Sequence, residues 1–90
     1  MRFLLEFKSF YKVGDIVLIH YWYNDMITPV IITETYNRKV KVTHNINLYI
    51  ESLKNQNLEV EKYEKHKHLF TIFNAPDEEV KTTHILQHHV

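Results

Sequence analysis

Seven histidines stand in a chain of 90 residues, and imidazole is the side chain best suited to carry protons or bind metal near neutral pH. Two of the spacings have chemical meaning. His84 and His88 lie four apart, a zinc-chelating pair when helical, and His66-Lys67-His68 sets two imidazoles on one face when extended. The first pair falls in a segment patterned as a strand, where positions four apart are separated by about 13 Å. The chain has no cysteine to complete either set, so no metal site and no cofactor are expected. His20 and His44 are expected instead to be partly buried neighbours across a sheet. Nucleophilic machinery is equally thin. There is no thiol, the only serines are Ser9 and Ser52, and no G-x-S-x-G elbow, phosphate-cradling glycine loop or H-E-x-x-H motif occurs. The sequence predicts a protein that is not an enzyme.

Arg38, Lys39 and Lys41 form the one local basic patch, beside Tyr36. That combination can hold single-stranded nucleic acid, the aromatic stacking on a base and the cations meeting phosphates. Exposed lysines on a hairpin also discourage edge-to-edge pairing. Overall charge argues against a general grip on nucleic acid: eleven basic and eleven acidic residues cancel, whereas affinity for phosphates usually needs a basic excess. Glu59 to Lys67 mixes both signs and is expected to be a solvated face. The histidines make the charge sensitive just below neutrality, and solubility is expected to be poorest near pH 7.

These residues need a scaffold, and the composition permits a small one. An apolar fraction of 44% and a charged fraction of 24% are ordinary for a folded soluble domain, and 90 residues suffice for one core. A single domain over 1–90 is expected. The lack of cysteine suits a reducing compartment, and a cytoplasmic location is expected. Phe3-Leu4-Leu5 is too short for a signal-peptide core, and no segment is long enough to span a bilayer. The richness in Lys, Asn, Ile and Tyr is what an AT-biased genome encodes.

Gly14-Asp15 launches a first strand, Ile16 to Trp22, rich in β-branched and aromatic residues. Asn24-Asp25 offers left-handed turn geometry before a second strand, Thr28 to Tyr36, with Pro29 expected at its start or on an edge. Asn37-Arg38 makes the next tight turn. Lys39 to His44 then alternates, Val40 and Val42 on one face and Lys39, Lys41 and Thr43 on the other. The first strand is apolar on both faces, so its second face needs a cover. Candidates are an N-terminal segment over 1–11 with Phe3, Leu4, Phe7 and Phe10 at helical spacing, the middle of the chain, or a second subunit. Asn47 to Asn57 is expected to be a helix capped by Asn45 or Asn47. The charged stretch from Leu58 to His68 can continue that helix or form an exposed strand pairing with 69–73, and the alternation at Leu58 and Val60 slightly favours the strand. Pro76 to Val80 is expected to be a helical turn, and Thr82 to His88 the last strand.

The K-V-G-D-I-V-L-I-H-Y opening, the hairpin after it, the R-K-V-K-V strand and the T-H-I-L-Q close together resemble the SH3-like small barrels of the Tudor and KOW type. The resemblance covers about residues 11–45 and 69–88. It implies a mostly β fold, an SH3-like barrel of about five strands, with 46–68 as a short helical insertion before the fourth strand. Tudor-type barrels cage a methylated side chain with aromatics near the first hairpin, and the resemblance implies that Tyr21, Trp22, Tyr23 and Asp25 would be the partner-binding residues. Consecutive strand residues point to opposite faces, so Tyr21, Trp22 and Tyr23 do not all line one cage. The expected function is a small non-catalytic interaction module binding a protein partner, as an accessory factor of a phage or mobile element. The alternative is a single-stranded nucleic-acid binder working through Tyr36, Arg38, Lys39 and Lys41. A homodimer is compatible with the two-sided first strand.

Overall fold

The turn Lys12–Asp15 starts the architecture. The Asp15 amide donates to the Lys12 carbonyl at 3.0 Å, and the Lys12 amide donates to Asp15 Oδ2 at 2.9 Å. Gly14 stands third in the turn with φ +95°, the left-handed backbone that a type II turn demands there. In the computed structural model, which describes residues 11–21, 25–70 and 75–89 with side chains as far as Leu86, three strands follow as a meander. They are β1 (Ile16–Tyr21), β2 (Met26–Thr35) and β3 (Lys39–Thr43). Asp25 at φ +56° and Arg38 at φ +72° supply the reversals between them, as the turn residues predict. Two helices come next, α1 (Ile46–Asn55) and α2 (Glu61–His66), then β4 (Glu78–Lys81), a 3₁₀ turn over Thr82–His84, and β5 (Ile85–His89).

The five strands form one antiparallel sheet in the order β4-β3-β2-β1-β5, curled into a half-barrel. The curl has local causes. Between Ile32↔Val42 and Glu34↔Lys41 the β2–β3 register slips by one, leaving Thr33 as an extra residue whose hydroxyl donates to the Lys41 carbonyl at 3.2 Å. Bulges of this kind sharpen strand twist. A second slip lies between Val17↔His89 and Ile19↔Ile85. Pro29 is the fourth residue of a central strand, not its first. It lies opposite Leu18 of β1, but β3 reaches only as far as Ile31, so the missing amide removes no bond on the β3 side.

The middle of the β1–β2 pair is buried on both faces, against two separate cores. Inside the curl Val17, Ile19, Val30, Ile32, Val40, Val42, Val80 and Ile85 pack together, with Tyr11 and Tyr21 against them. Outside, Ile16 and Ile31 meet Ile46 and Ile50 of α1, flanked by Tyr49, Val60, Tyr63 and Phe70. The cover for the second face is therefore the middle of the chain. Asn45 caps α1, accepting the Leu48 amide at 3.0 Å. At its other end Asn57 turns left-handed at φ +58°, with bonds from the Leu58 amide to the Leu53 carbonyl and from Asn57 to Lys54, the Schellman pattern.

Three expectations need correction. Residues 61–66 are helical, not strand, because Tyr63 turns down onto Gly14 while the charged residues around it face water. The helical turn expected over 76–80 falls later, at Thr82–His84, and Glu78–Lys81 is a strand because the β3 edge, with its lysines, receives it in register from Lys39↔Lys81 to Val42↔Glu78. In the strand expected over 69–73, Leu69 belongs to a 3₁₀ turn, Lys67–Leu69, and 71–73 lie outside the described residues, as does the covering segment expected over 1–11 except for Tyr11. No helix among the described residues is long and apolar enough to cross a membrane.

Where the helices meet the strand launch, contact is tight. The Gly14 amide donates to the Ile32 carbonyl at 2.7 Å, and its own carbonyl accepts the Tyr63 hydroxyl at 2.7 Å. A Cβ on Gly14 would stand 2.8 Å from Tyr63 Oη. Gly14→Ala is accordingly expected to lower stability by about 2–3 kcal/mol, adding left-handed strain to the loss of that bond; the urea midpoint measures it, and an unchanged midpoint would show that the staple contributes nothing.

Partial desolvation, followed by the neighbouring Tyr49, pushes the Tyr63 hydroxyl up to about 12. A raised folded-state value means that the native state keeps its proton where the unfolded chain loses it, near pH ~10. The stabilisation is complete below pH ~10 and disappears as pH rises through about 12. Tyr63→Phe should remove that alkaline dependence and cost about 1 kcal/mol at pH 7, read from denaturant midpoints between neutrality and pH ~11.5 alongside tyrosinate absorbance.

Candidate functional site

Strand alternation carries three polar side chains to one mouth of the half-barrel. Tyr21 continues the inward series Val17, Ile19; His44 continues Val40, Val42; Glu78 precedes Val80 on the same face. Tyr21 donates its hydroxyl to Glu78 Oε2 at 2.5 Å, and His44 Nε2 lies 2.7 Å from the same oxygen and 3.2 Å from the Tyr21 hydroxyl. The imidazole is buried, with 3% of its side-chain surface exposed against 37% for Glu78. The cluster ties β1 to the start of β4, two strands that are not sheet neighbours. Ser52 of α1 lies outside this cluster and accepts from the Gln56 side-chain amide at 3.1 Å.

The same cluster pins both walls of an open cleft of about 590 Å³ lined by Thr33, Thr43, Asn45, Leu48, Tyr49, Ala75, Pro76 and Asp77. On one wall His44 sits between Thr43 and Asn45. On the other, Glu78 directly follows Ala75-Pro76-Asp77. Thr43 Oγ1 accepts the Asn45 amide at 3.2 Å, and Asn45 in turn caps α1, so these polar groups hold the wall in place. Leu48 projects from that first turn with 62% exposed, the highest value among the exposed large apolar side chains of the described residues. Among the described residues its surroundings are Tyr49, Ala75 and Pro76, with one anion, Asp77, and no cation on the lining.

Of the residues expected to bind a partner, Tyr21 points into the half-barrel and spends its hydroxyl on Glu78. Asp25 is exposed and meets His20 Nε2 at 2.8 Å. His20 adjoins Tyr21 on the strand and faces the opposite side, so Tyr21 and Asp25 do not converge. Trp22 and Tyr23 lie outside the described residues. His20 and His44 are not neighbours, for the same reason of alternation. The expected nucleic-acid set does cluster around the β2–β3 turn, but acids share it. Lys39 reaches Glu79 at 2.9 Å and Lys41 reaches Glu34 at 3.8 Å. Tyr36 donates to Glu34, and that hydrogen bond to a carboxylate raises its hydroxyl above the usual value. Arg38 is exposed at the turn.

His66 ends α2 and bonds the Lys62 carbonyl, while His68 lies in the 3₁₀ turn after it. His84 ends a different turn and His88 lies in β5, so neither pair has the backbone that its ligand spacing needs. Among the described residues no group of three or more His, Asp or Glu is placed to hold a metal ion. The Tyr21–His44–Glu78 cluster and the cleft were both missed by sequence reading. Alternation from Val40 and Val42 signals that His44 faces inward, but no local signal pairs it with residue 78.

No family model matches the chain, and no curated protein or solved structure matches it.

Glu78→Ala removes the acceptor that Tyr21 and His44 share, and should lower stability by about 1–3 kcal/mol, against about 1 kcal/mol for Tyr21→Phe. Guanidinium unfolding of both variants tests the order; equal effects would mean that the His44 contact adds nothing.

Proposed function

We propose that this protein is a small non-catalytic interaction module whose partner is a protein segment seated in the Leu48–Tyr49 cleft. The observation that carries the reading is Leu48, an exposed apolar side chain on a capped helix turn, beside Tyr49, Ala75 and Pro76. An apolar floor with a few fixed polar groups at its rim is the usual make-up of a recognition site, and exposed apolar surface of this kind marks contact with another molecule. Asp77, which faces no cation among the described lining residues, favours a segment that brings an apolar anchor and a basic neighbour. The Gly14-Asp15 opening and the helical turn before the last strand support the resemblance to SH3-like small barrels. The AT-biased composition fits an accessory factor of a phage or mobile element acting in the cytoplasm on a host complex.

The nucleic-acid reading has less support. Lys39 and Lys41 each have a carboxylate partner, which reduces the positive field that phosphates need. On the first strand, Ile16 is covered by the chain's own helices and Leu18 is half-buried.

Leu48→Asp separates these readings. Affinity capture with wild-type protein from nuclease-treated lysate should retain a stoichiometric protein that Leu48→Asp fails to retain, with thermal stability unchanged. Retention of the same protein by both would place the binding surface elsewhere. Capture of nucleic acid alone, lost on nuclease treatment and on charge reversal at Arg38 and Lys41, would replace the proposal with the other reading.

A further inference from the structure

The outer edge of β4 carries a charge sequence that is complementary to itself. β4 ends the sheet, and among the described residues no strand lies beyond it. The Thr82 amide donates to the Arg38 carbonyl at 3.1 Å. Antiparallel ladders alternate, so Thr82, Val80 and Glu78 turn their backbone groups toward β3, and Lys81 and Glu79 turn theirs to the free edge. Lys81 stands directly opposite Lys39 across the β3–β4 pair, a like-charge juxtaposition that costs stability unless an anion joins it. The nearest acid on the strand, Glu79, meets Lys39 through one carboxylate oxygen, Oε1, at 2.9 Å, and its second oxygen can serve another cation.

We propose that β4 pairs antiparallel with β4 of a second copy of this chain, centred on Val80. Hydrogen-bonded pairs across such a junction form only between edge-facing residues, which are the odd-numbered ones here. Shifting the centre to residue 79 faces Glu79 with Glu79, and shifting it to residue 81 faces Lys81 with Lys81. Centring on Val80 alone faces Lys81 with Glu79 twice and sets no like charges opposite. Each Lys81 then gains a carboxylate on the side away from Lys39, and the two half-barrels join into a ten-stranded sheet with two-fold symmetry. Symmetric pairing of one patch with itself is the commonest form of self-assembly, and strand addition at a free edge supplies its backbone bonds. Lysine on a short edge usually deters pairing; in this strand the deterrent is answered two residues earlier. The inference does not rest on the cleft described above, and Leu48→Asp should leave it untouched.

Sedimentation of the full chain from ~10 µM to ~1 mM should give a concentration-dependent monomer–dimer equilibrium. Lys81→Glu and Glu79→Lys should each weaken the dimer about tenfold or more, since each turns both facing pairs repulsive. An equimolar mixture of the two variants should recover it as a heterodimer, and the double exchange Glu79→Lys with Lys81→Glu should dimerise like wild type. Circular dichroism of each variant verifies the fold. A wild-type monomer throughout the range, single reversals that leave the dimer intact, or a mixture that fails to associate would each overturn the proposal.

Discussion

Ile16 and Ile31 lie side by side on the outer face of the sheet, and keeping them from water is the constraint on which the distribution of the chain depends. Each fully buried side chain of this size contributes roughly 1.5–3 kcal/mol relative to exposure, a large share of what a small domain has. Ile46 and Ile50 supply the matching surface. They do so only if α1 follows β3 at once and turns back over the sheet, which the Asn45 cap arranges. The far end of the cover is fixed at Gly14, whose missing side chain admits Tyr63 and whose carbonyl bonds it. The one glycine of the chain thus launches β1 and docks α2.

How much of this is legible in the sequence follows from how local each signal is. The three-strand meander, the turns that hold Gly14, Asp25 and Arg38, and the Asn45 cap are encoded within a few residues, and the structure has them. The helix α2 and the strand β4 are not. Glu61 to His66 has a single apolar residue, so no helical stripe exists to read, and its conformation follows from the bond between Tyr63 and a carbonyl 49 positions away. Asp77-Glu78-Glu79 has the composition of a helix first turn. It becomes a strand because the β3 edge, with its two lysines, accepts it. Tertiary partners decide such short charged segments, with helix propensity in Glu61–His66 and against strand propensity in Glu78–Lys81.

Zero net charge is distributed as contacts rather than as an average. Lys39 and Glu79 link β3 to β4, Lys41 and Glu34 link β3 to β2, and Lys54 and Glu64 link α1 to α2 at 3.5 Å. Pairs as exposed as these add little stability. Their main consequence is for the outside world: they flatten the potential around the only basic patch in the sequence, and with it the long-range attraction for polyanions.

The cleft and the inward polar cluster are one construction seen from two sides. Extended backbone sends alternate residues to opposite faces, so fixing His44 inward fixes Thr43 and Asn45 against the cleft, and holding Glu78 fixes the end of Ala75-Pro76-Asp77. The carboxylate that accepts from both Tyr21 and His44 therefore sets the spacing between the two walls without touching anything that enters. On the proposed reading, walls held before the partner segment arrives reduce the ordering entropy lost on binding. Within the same proposal, that advantage accounts for a buried histidine and a half-buried tyrosine and glutamate at positions where aliphatic residues would otherwise continue the core.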